Sequence, residues 1–118
     1  MKLLRQLFNG RKNSKHIRPS RYKPTEIEWQ FLKAIRDSTN FDFNQVTVNY
    51  NNQFGKHVHR NQGESLIMLV GDFKRGTLCS ESGTRIEERD TWKRFDGSIP
   101  HLVEPFKGER FSIVLYRK

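Results

Sequence analysis

The stretch 63-GESLIMLVGDF-73 contains the longest apolar run of the chain, Leu66–Val70. This run is far too short to span a bilayer, but its length is typical of a strand that is buried on both faces. We therefore expect a central strand of a β-sheet here. The rest of the fold is worked out from this strand.

Further strand signals lie on both sides of this run. Val46, Val48 and Tyr50 alternate with polar residues, and 111–116 is a second apolar run. Shorter strands are predicted at 77–79, 91–95 and 101–103, with turns at Ser82-Gly83, Asp96-Gly97 and Lys107-Gly108. Six or seven short strands favour a mainly β fold, a small barrel or sandwich.

One helix is predicted ahead of the strands, over 25–37. Thr25 and Glu28 have the spacing of a capping box, and the polar residues 37–40 favour an end to the helix. Four apolar residues share one face at helical spacing: Ile27, Phe31, Leu32 and Ile35. We expect this helix to pack on the outside of the β domain with that face inward.

The composition is that of one small folded domain. The chain has 118 residues and is only 34% hydrophobic, but nine Phe, three Tyr and two Trp supply large apolar side chains. The single cysteine, Cys79, excludes a disulfide framework and a cysteine-based zinc cluster. Lys2, Arg5 and Gln6 interrupt the apolar residues at the N-terminus, so we expect no signal peptide and no membrane partner. A cytoplasmic or nuclear location is expected.

The positive charge is concentrated at the N-terminus. Of the 22 Lys and Arg residues, 8 lie in 1–23, a segment without any acid, whereas 24–118 is almost neutral. This predicts a basic arm over 1–23 and a single domain over 24–118. Such an arm favours nucleic acid through counterion release, and a merely solubilising tail is the alternative. The candidate nucleic-acid-binding residues are Arg11, Lys12, Lys15, Arg18, Arg21 and Lys23.

Three histidines are candidate metal ligands. His57 and His59 are two residues apart, so on an extended backbone their side chains leave the same face. His101 stands at the start of another predicted strand. Neutral imidazoles suit iron, zinc, copper and nickel, and three protein ligands leave positions open for substrate. The alternative is that the His57–His59 pair is exposed in a basic loop.

An ordered series of motifs resembles a known family. The motifs are "VNYNN", "HVHRNQGESLIMLVGDFKRGTL" and "WKRFDGSIPHLVEPFKGERFSIVLY", and they cover 48–116, more than half of the chain. The series resembles the iron(II)- and 2-oxoglutarate-dependent dioxygenases, in particular the compact branch related to ten-eleven translocation and thymine-hydroxylase-type nucleic-acid oxygenases. The resemblance implies a double-stranded β-helix, or jelly roll, with Fe(II) between two sheets and 2-oxoglutarate as cosubstrate.

The same resemblance assigns roles to individual residues. His57 matches the first iron ligand and His101 the distal one. Arg110 matches the arginine that binds the far carboxylate of 2-oxoglutarate, and Ser112 matches the serine that follows it. A planar guanidinium binds a carboxylate bidentately, and a hydroxyl two residues further along a strand faces the same way. The other candidates for orienting the cosubstrate are Tyr50 and Asn49.

One position departs from the family pattern, because His59 stands where the family has an aspartate. Three neutral imidazoles leave the charge of Fe(II) uncompensated. His59 could ligate directly, or it could be displaced and leave water, Asp72 or Asp96 to complete the site. A member that has lost turnover and only binds is a third possibility.

Three functions follow from these observations. The first is an oxygenase that hydroxylates a nucleobase in DNA or RNA held by the basic arm. The second is an oxygenase that acts on a protein side chain or a small molecule, which needs the metal centre but not the arm. The third is a non-catalytic module that binds nucleic acid or protein on a jelly-roll scaffold.

Overall fold

A computed structural model describes residues 2–8, 13–52 and 63–118, and it is mainly β. Its elements in chain order are α1 (Lys2–Phe8), β1 (Asn13–Ile17), α2 (Glu26–Ser38), β2 (Gln45–Tyr50), β3 (Ser65–Arg75), β4 (Leu78–Ser80), β5 (Arg85–Ile86), β6 (Lys93–Phe95), β7 (His101–Val103) and β8 (Phe106–Tyr116).

The strands form two antiparallel sheets. The first has five strands in the order β1-β2-β8-β3-β6, and the second has three in the order β5-β4-β7. This arrangement is compatible with a β-sandwich, which agrees with the mainly β prediction. The predicted central strand is β3, which lies between β8 and β6.

Alternation along β8 divides the core into two layers. Phe111, Ile113 and Leu115 pack with the two helices, whereas Val114 and Tyr116 pack with residues of the three-stranded sheet. Because successive side chains of a strand point to opposite faces, both faces of the five-stranded sheet are covered. The helices therefore lie outside the sandwich, and the space between the two sheets is a separate layer.

The predicted helix is confirmed as α2. Thr25 is its N-cap and forms the predicted capping box with Glu28, through hydrogen bonds of 3.2 Å and 2.8 Å. Its buried apolar residues are Phe31, Leu32 and Ile35, and the partly buried Ile27 packs beside them. Within the described ranges, no helix is long and apolar enough to cross a membrane.

The predicted turn at Lys107-Gly108 is wrong, because both residues lie inside β8. Gly108 has a φ of +110° and Gly71, on β3, has a φ of +127°. A Cβ on Gly108 would collide with the carbonyl oxygen of Asp72, and one on Gly71 would collide with that of Glu109. Glycine serves here to let two paired strands approach closely rather than to reverse the chain.

The N-terminal segment, predicted as a basic arm over 1–23, contains two elements of the folded body. Leu4, Leu7 and Phe8 of α1 are buried in the core shared with α2, and β1 pairs with β2 along its whole length. Ile17 at the end of β1 is fully buried. The charge pattern concealed these elements, because the apolar residues that anchor them are few and lie between cations.

Candidate functional site

Arg110 lies on the face of β8 that looks toward the space between the sheets. Its side chain is only 2% exposed. Nε donates to the carbonyl oxygen of Gly76 at 3.1 Å, and the guanidinium carbon lies 5.6 Å from the ring centroids of both Phe73 and Phe106. The backbone N–H of Arg110 donates to Asn51 Oδ1 at 2.8 Å. The contact with Gly76 holds the Nε edge of the guanidinium in place, and the rings of Phe73 and Phe106 pack near it.

The other edge of this guanidinium is not satisfied. Nη2 is buried and has no hydrogen-bond partner among the described residues. Burial lowers the pKa of Arg110 from its ordinary value to about 10. A buried cation without a partner destabilises a fold, so the site is one that an anion would stabilise.

A chain of polar side chains crosses the same face of the sheet. Asn49 Nδ2 donates to Ser112 Oγ at 3.0 Å, and Ser14 Oγ donates to Asn49 Oδ1 at 2.7 Å. Ser112 follows Arg110 by two residues and is directly opposite Asn49 in the β2–β8 register. The prediction that Arg110 and Ser112 share a face therefore agrees with the structure, which also places Asn49 on that face.

Tyr50 does not belong to this group. Its ring stacks on Phe111 at 4.6 Å in the helix layer, and its hydroxyl donates to Glu109 Oε2 at 3.1 Å. Neighbouring residues on a strand point to opposite faces, so Tyr50 and Asn49 cannot both face Ser112. The assignment of Tyr50 to the cosubstrate is corrected accordingly.

His101 is buried at the start of β7, in the layer between the sheets. It is 3% exposed, and its ring meets Phe95 edge-on at 5.5 Å. Its Nδ1 lies 2.8 Å from the carbonyl oxygen of Ile99. If Nδ1 carries the proton, this contact fixes the ring and makes Nε2 the nitrogen with a lone pair.

The other two proposed metal ligands, His57 and His59, lie outside the described residues. Within the described ranges, no group of three His, Cys, Asp or Glu side chains is placed to hold a metal ion. Asp96 is exposed and caps a turn, where its Oδ1 accepts from the N–H and hydroxyl of Ser98. These hydrogen bonds lower the pKa of Asp96. Asp72 is directly opposite Glu109 in the β3–β8 register. The carboxylate of Glu109 binds Arg5 and Tyr50 on the helix side of the sheet, so Asp72 lies on that face as well.

The predicted nucleic-acid-binding residues do not form a single free arm. Arg11 and Lys12 lie outside the described residues. Lys15 Nζ lies 3.6 Å from Glu28 Oε2 on α2, and Arg18 Nε is buried. Arg21 and Lys23 are exposed in the segment before α2. Binding of nucleic acid by this segment remains a prediction.

A cleft of about 320 Å³ lies between α1 and the start of α2. Its lining includes Lys15, Thr25 and Glu28. These polar groups already pair with one another through the capping box and the Lys15–Glu28 contact. The cleft lies on the helix side of the sheet, away from Arg110.

Comparison with known proteins does not extend this description. The chain matches no family model, and no curated protein matches its sequence significantly. The family resemblance therefore remains a prediction that rests on the motifs themselves.

Three contacts of Arg110 were not predicted from the sequence: those with Gly76, Phe73 and Phe106. Phe73 lies on β3, Gly76 follows β3, and Phe106 is the first residue of β8. The register of β3 on β8 brings them together. The available signal was that all three occur within the motifs that also contain the candidate ligands. That signal does not say which of them touch Arg110.

Proposed function

We propose that the chain is an iron(II)- and 2-oxoglutarate-dependent dioxygenase-like protein that hydroxylates a nucleobase in DNA or RNA. The observation that carries the proposal is Arg110, a buried guanidinium whose Nη2 has no partner among the described residues. Charge-assisted pairs between guanidinium and carboxylate are among the strongest hydrogen bonds in proteins. The far carboxylate of 2-oxoglutarate would supply the missing partner.

We also infer that the sandwich is a jelly roll, and the strand order supports this. An eight-stranded chain folded as one long hairpin pairs strands 1-8, 2-7, 3-6 and 4-5, and winding that hairpin gives sheets 1-8-3-6 and 2-7-4-5. We count β2 as strand 1 of this scheme and β3 to β8 as strands 3 to 8. The five-stranded sheet then has the order 1-8-3-6, with β1 added beside strand 1, and the three-stranded sheet has the order 7-4-5. The second strand of the scheme has no counterpart among the described residues.

The described donors fit the proposed groups. Imidazole suits Fe(II), and the contact of His101 Nδ1 with a backbone carbonyl is the kind that orients a ligating histidine. His57 and His59, which lie outside the described residues, are proposed as the further ligands. Arg110 would bind the cosubstrate through its far carboxylate, and Ser112 would place a hydroxyl beside it. Bound Fe(II) with 2-oxoglutarate as the electron donor would supply the chemistry that activates dioxygen, the oxidant, for hydroxylation.

Two alternatives each have an observation in their favour. His59 replaces the aspartate of the family pattern, which favours a module that has lost turnover and only binds. The folding of α1 and β1 into the core removes part of the free arm, which favours an oxygenase of a protein side chain or small molecule. The nucleobase remains our first choice, because the chain carries a net charge of +9.

The decisive experiment is titration calorimetry of 2-oxoglutarate into the protein loaded with Fe(II) without oxygen. We expect binding by the unmodified chain and a loss of about 10- to 100-fold in Arg110→Lys, because a bidentate charge-assisted contact is lost. Arg94→Lys, an exposed site on β6, is the matched control and should bind as the unmodified chain does. No binding by the unmodified chain would overturn the proposal.

Mass spectrometry then separates the three functions. With oxygen present, succinate formed together with a hydroxylated base in an added oligonucleotide supports the nucleobase oxygenase. Succinate without base modification supports the second function. Cosubstrate binding without any succinate supports the third, and His59→Asp then tests whether turnover can be restored.

A further inference from the structure

Three cations are concentrated where β3 ends and β8 begins. Lys74 on β3 is directly opposite Lys107 on β8, and Arg75 is opposite Phe106. We call the group of Lys74, Arg75 and Lys107 the basic tip. All three of its residues are exposed.

The basic tip is not neutralised by described acids. Several cations elsewhere in the described residues are ion-paired, including Arg85 with Glu104 and Lys93 with Glu88. Among the described residues, neither lysine of the tip nor Arg75 has an ion pair. The next pair on the same face of β3 and β8 is Asp72 with Glu109. Glu109 already pairs with Arg5, and Asp72 has no ion pair among the described residues. The tip therefore presents a net positive charge.

Two unfavourable local features coincide at the tip. Directly opposite residues of an antiparallel pair have Cβ atoms about 4.5–5.5 Å apart, and like charges at that distance are destabilising. Arg75 has a φ of +66°, in the left-handed region that favours glycine or asparagine. A neutral residue at either lysine, or glycine at 75, would remove these costs. Cations kept in strained positions point to a ligand that needs their charge.

Arg75 of the tip also adjoins the Arg110 site, whereas Lys74 and Lys107 lie on the opposite face of the β3–β8 pair, which they share with Glu109. Gly76, the residue after Arg75, accepts the hydrogen bond from Arg110 Nε, and the ring of Phe106 lies 5.6 Å from the guanidinium carbon. A polymer that contacts Arg75 as well as the two lysines would thus cross the end of the β3–β8 pair and pass the entrance to the space between the sheets.

We propose that the basic tip binds the phosphates of a single-stranded nucleic acid. An enzyme that acts on a base needs a single strand or an extruded base, and cationic grooves follow the backbone of such strands. The proposal deepens the proposed function and rests on its choice of substrate. It places the polymer at the β3–β8 end of the sheet, in addition to any contact made by Arg21 and Lys23.

The test compares two double variants with the same loss of charge. Lys74→Gln with Lys107→Gln removes the tip, and Lys33→Gln with Arg36→Gln removes two cations from the exposed side of α2. Binding of a labelled single-stranded oligonucleotide is followed by fluorescence anisotropy over a range of salt concentrations. Each lost phosphate contact should reduce the slope of log K against log salt by about 0.7, so the tip variant should lose about 1.4. The α2 variant should keep the slope of the unmodified chain.

Thermal unfolding controls for folding, since removing a like-charged pair should leave the tip variant at least as stable as the unmodified chain. An unchanged slope in the tip variant would overturn the proposal, as would an equal loss in both variants. Oligoglutamate that competes as strongly as the oligonucleotide would also overturn it, in favour of an acidic protein partner. Failure of the proposed function is seen separately, as absence of 2-oxoglutarate binding in a chain whose tip still binds the oligonucleotide.

Discussion

Gly76 and Arg110 are in direct contact at the edge of the sandwich. The carbonyl oxygen of Gly76 accepts from Arg110 Nε at 3.1 Å, and a Cβ on Gly76 would lie 2.9 Å from the same nitrogen. Gly76 also has a φ of +76°. Glycine is needed at this position both for the backbone conformation and for the space that the guanidinium occupies.

We expect Gly76→Ala to weaken both the fold and cosubstrate binding. The matched control is Gly83→Ala, because Gly83 has a φ of +94° but no atom within 4 Å of an added Cβ. Each variant should lose about 1–2 kcal/mol from left-handed strain. Gly76→Ala should lose more, because Arg110 must move, and it alone should weaken 2-oxoglutarate binding. Urea unfolding and calorimetry measure both effects, and equal losses in the two variants would contradict the prediction.

Replacing Arg110 with methionine should abolish cosubstrate binding without unfolding the protein. Burial lowers the pKa of Arg110 from its ordinary value to about 10, which corresponds to a cost of about 3 kcal/mol for the charged form. The variant removes that cost and loses the contacts with Phe73 and Phe106, worth about 1 kcal/mol each. We expect an unfolding free energy within about 1 kcal/mol of the unmodified chain.

The pH dependence of this effect has a definite sign. The pKa of Arg110 is lower in the folded state, so the cost is fully present below about pH 10 and shrinks only above it. The difference between Arg110→Met and the unmodified chain should therefore be the same at about pH 5 and about pH 8. If Arg110→Met instead lost several kcal/mol of unfolding free energy, Arg110 would be a structural residue.

Much of the fold followed from local patterns. The capping box and apolar face predicted α2, and apolar runs or alternation predicted β2, β3 and β8, because those elements bury one or both faces. β1 was missed, since its sequence NSKHI contains one apolar residue and its place is set by pairing with β2. α1 was missed because seven residues give too short a pattern among cations.

Only the alternation of side chains along a β-strand allowed part of the site to be predicted from the sequence. The spacing of Arg110 and Ser112 put both on one face, and the same rule separates Tyr50 from Asn49. The packing of Phe73 and Phe106 against the guanidinium depends on strand register, which the sequence does not determine locally. The metal site stays a prediction, because His57 and His59 lie outside the described residues.

The N-terminal helix should contribute to stability rather than act as a dispensable arm. Leu7 is 5% exposed within the core, so Leu7→Ala should cost about 2–5 kcal/mol. Leu3→Ala is the control, because Leu3 is only partly buried beside the same core and should cost less. Urea unfolding measures both variants. Equal, negligible losses would show that α1 does not stabilise the fold.

Arg5 and Glu109 should couple α1 to the sheet in a pH-dependent way. Arg5 Nη2 lies 2.6 Å from Glu109 Oε1, Nε donates to both carboxylate oxygens at 3.2 Å, and the hydroxyl of Tyr50 donates to Oε2 at 3.1 Å.

The hydrogen bond from Arg5, followed by that from Tyr50, lowers the pKa of Glu109 from 4.5 against the opposing effect of burial. Since the folded-state pKa is the lower one, the stabilisation is present above about pH 4.5 and is lost as the pH falls through the folded-state value. A double-mutant cycle of Arg5→Gln and Glu109→Gln should give a small favourable coupling near neutral pH, because Arg5 is 59% exposed and the pair is screened by solvent. The coupling should fall toward zero in strong acid and weaken at high salt. A coupling that persists at a pH where the carboxyl is protonated would mean that the ion pair is not its source, and no coupling near neutral pH would mean that α1 is held by its apolar contacts alone.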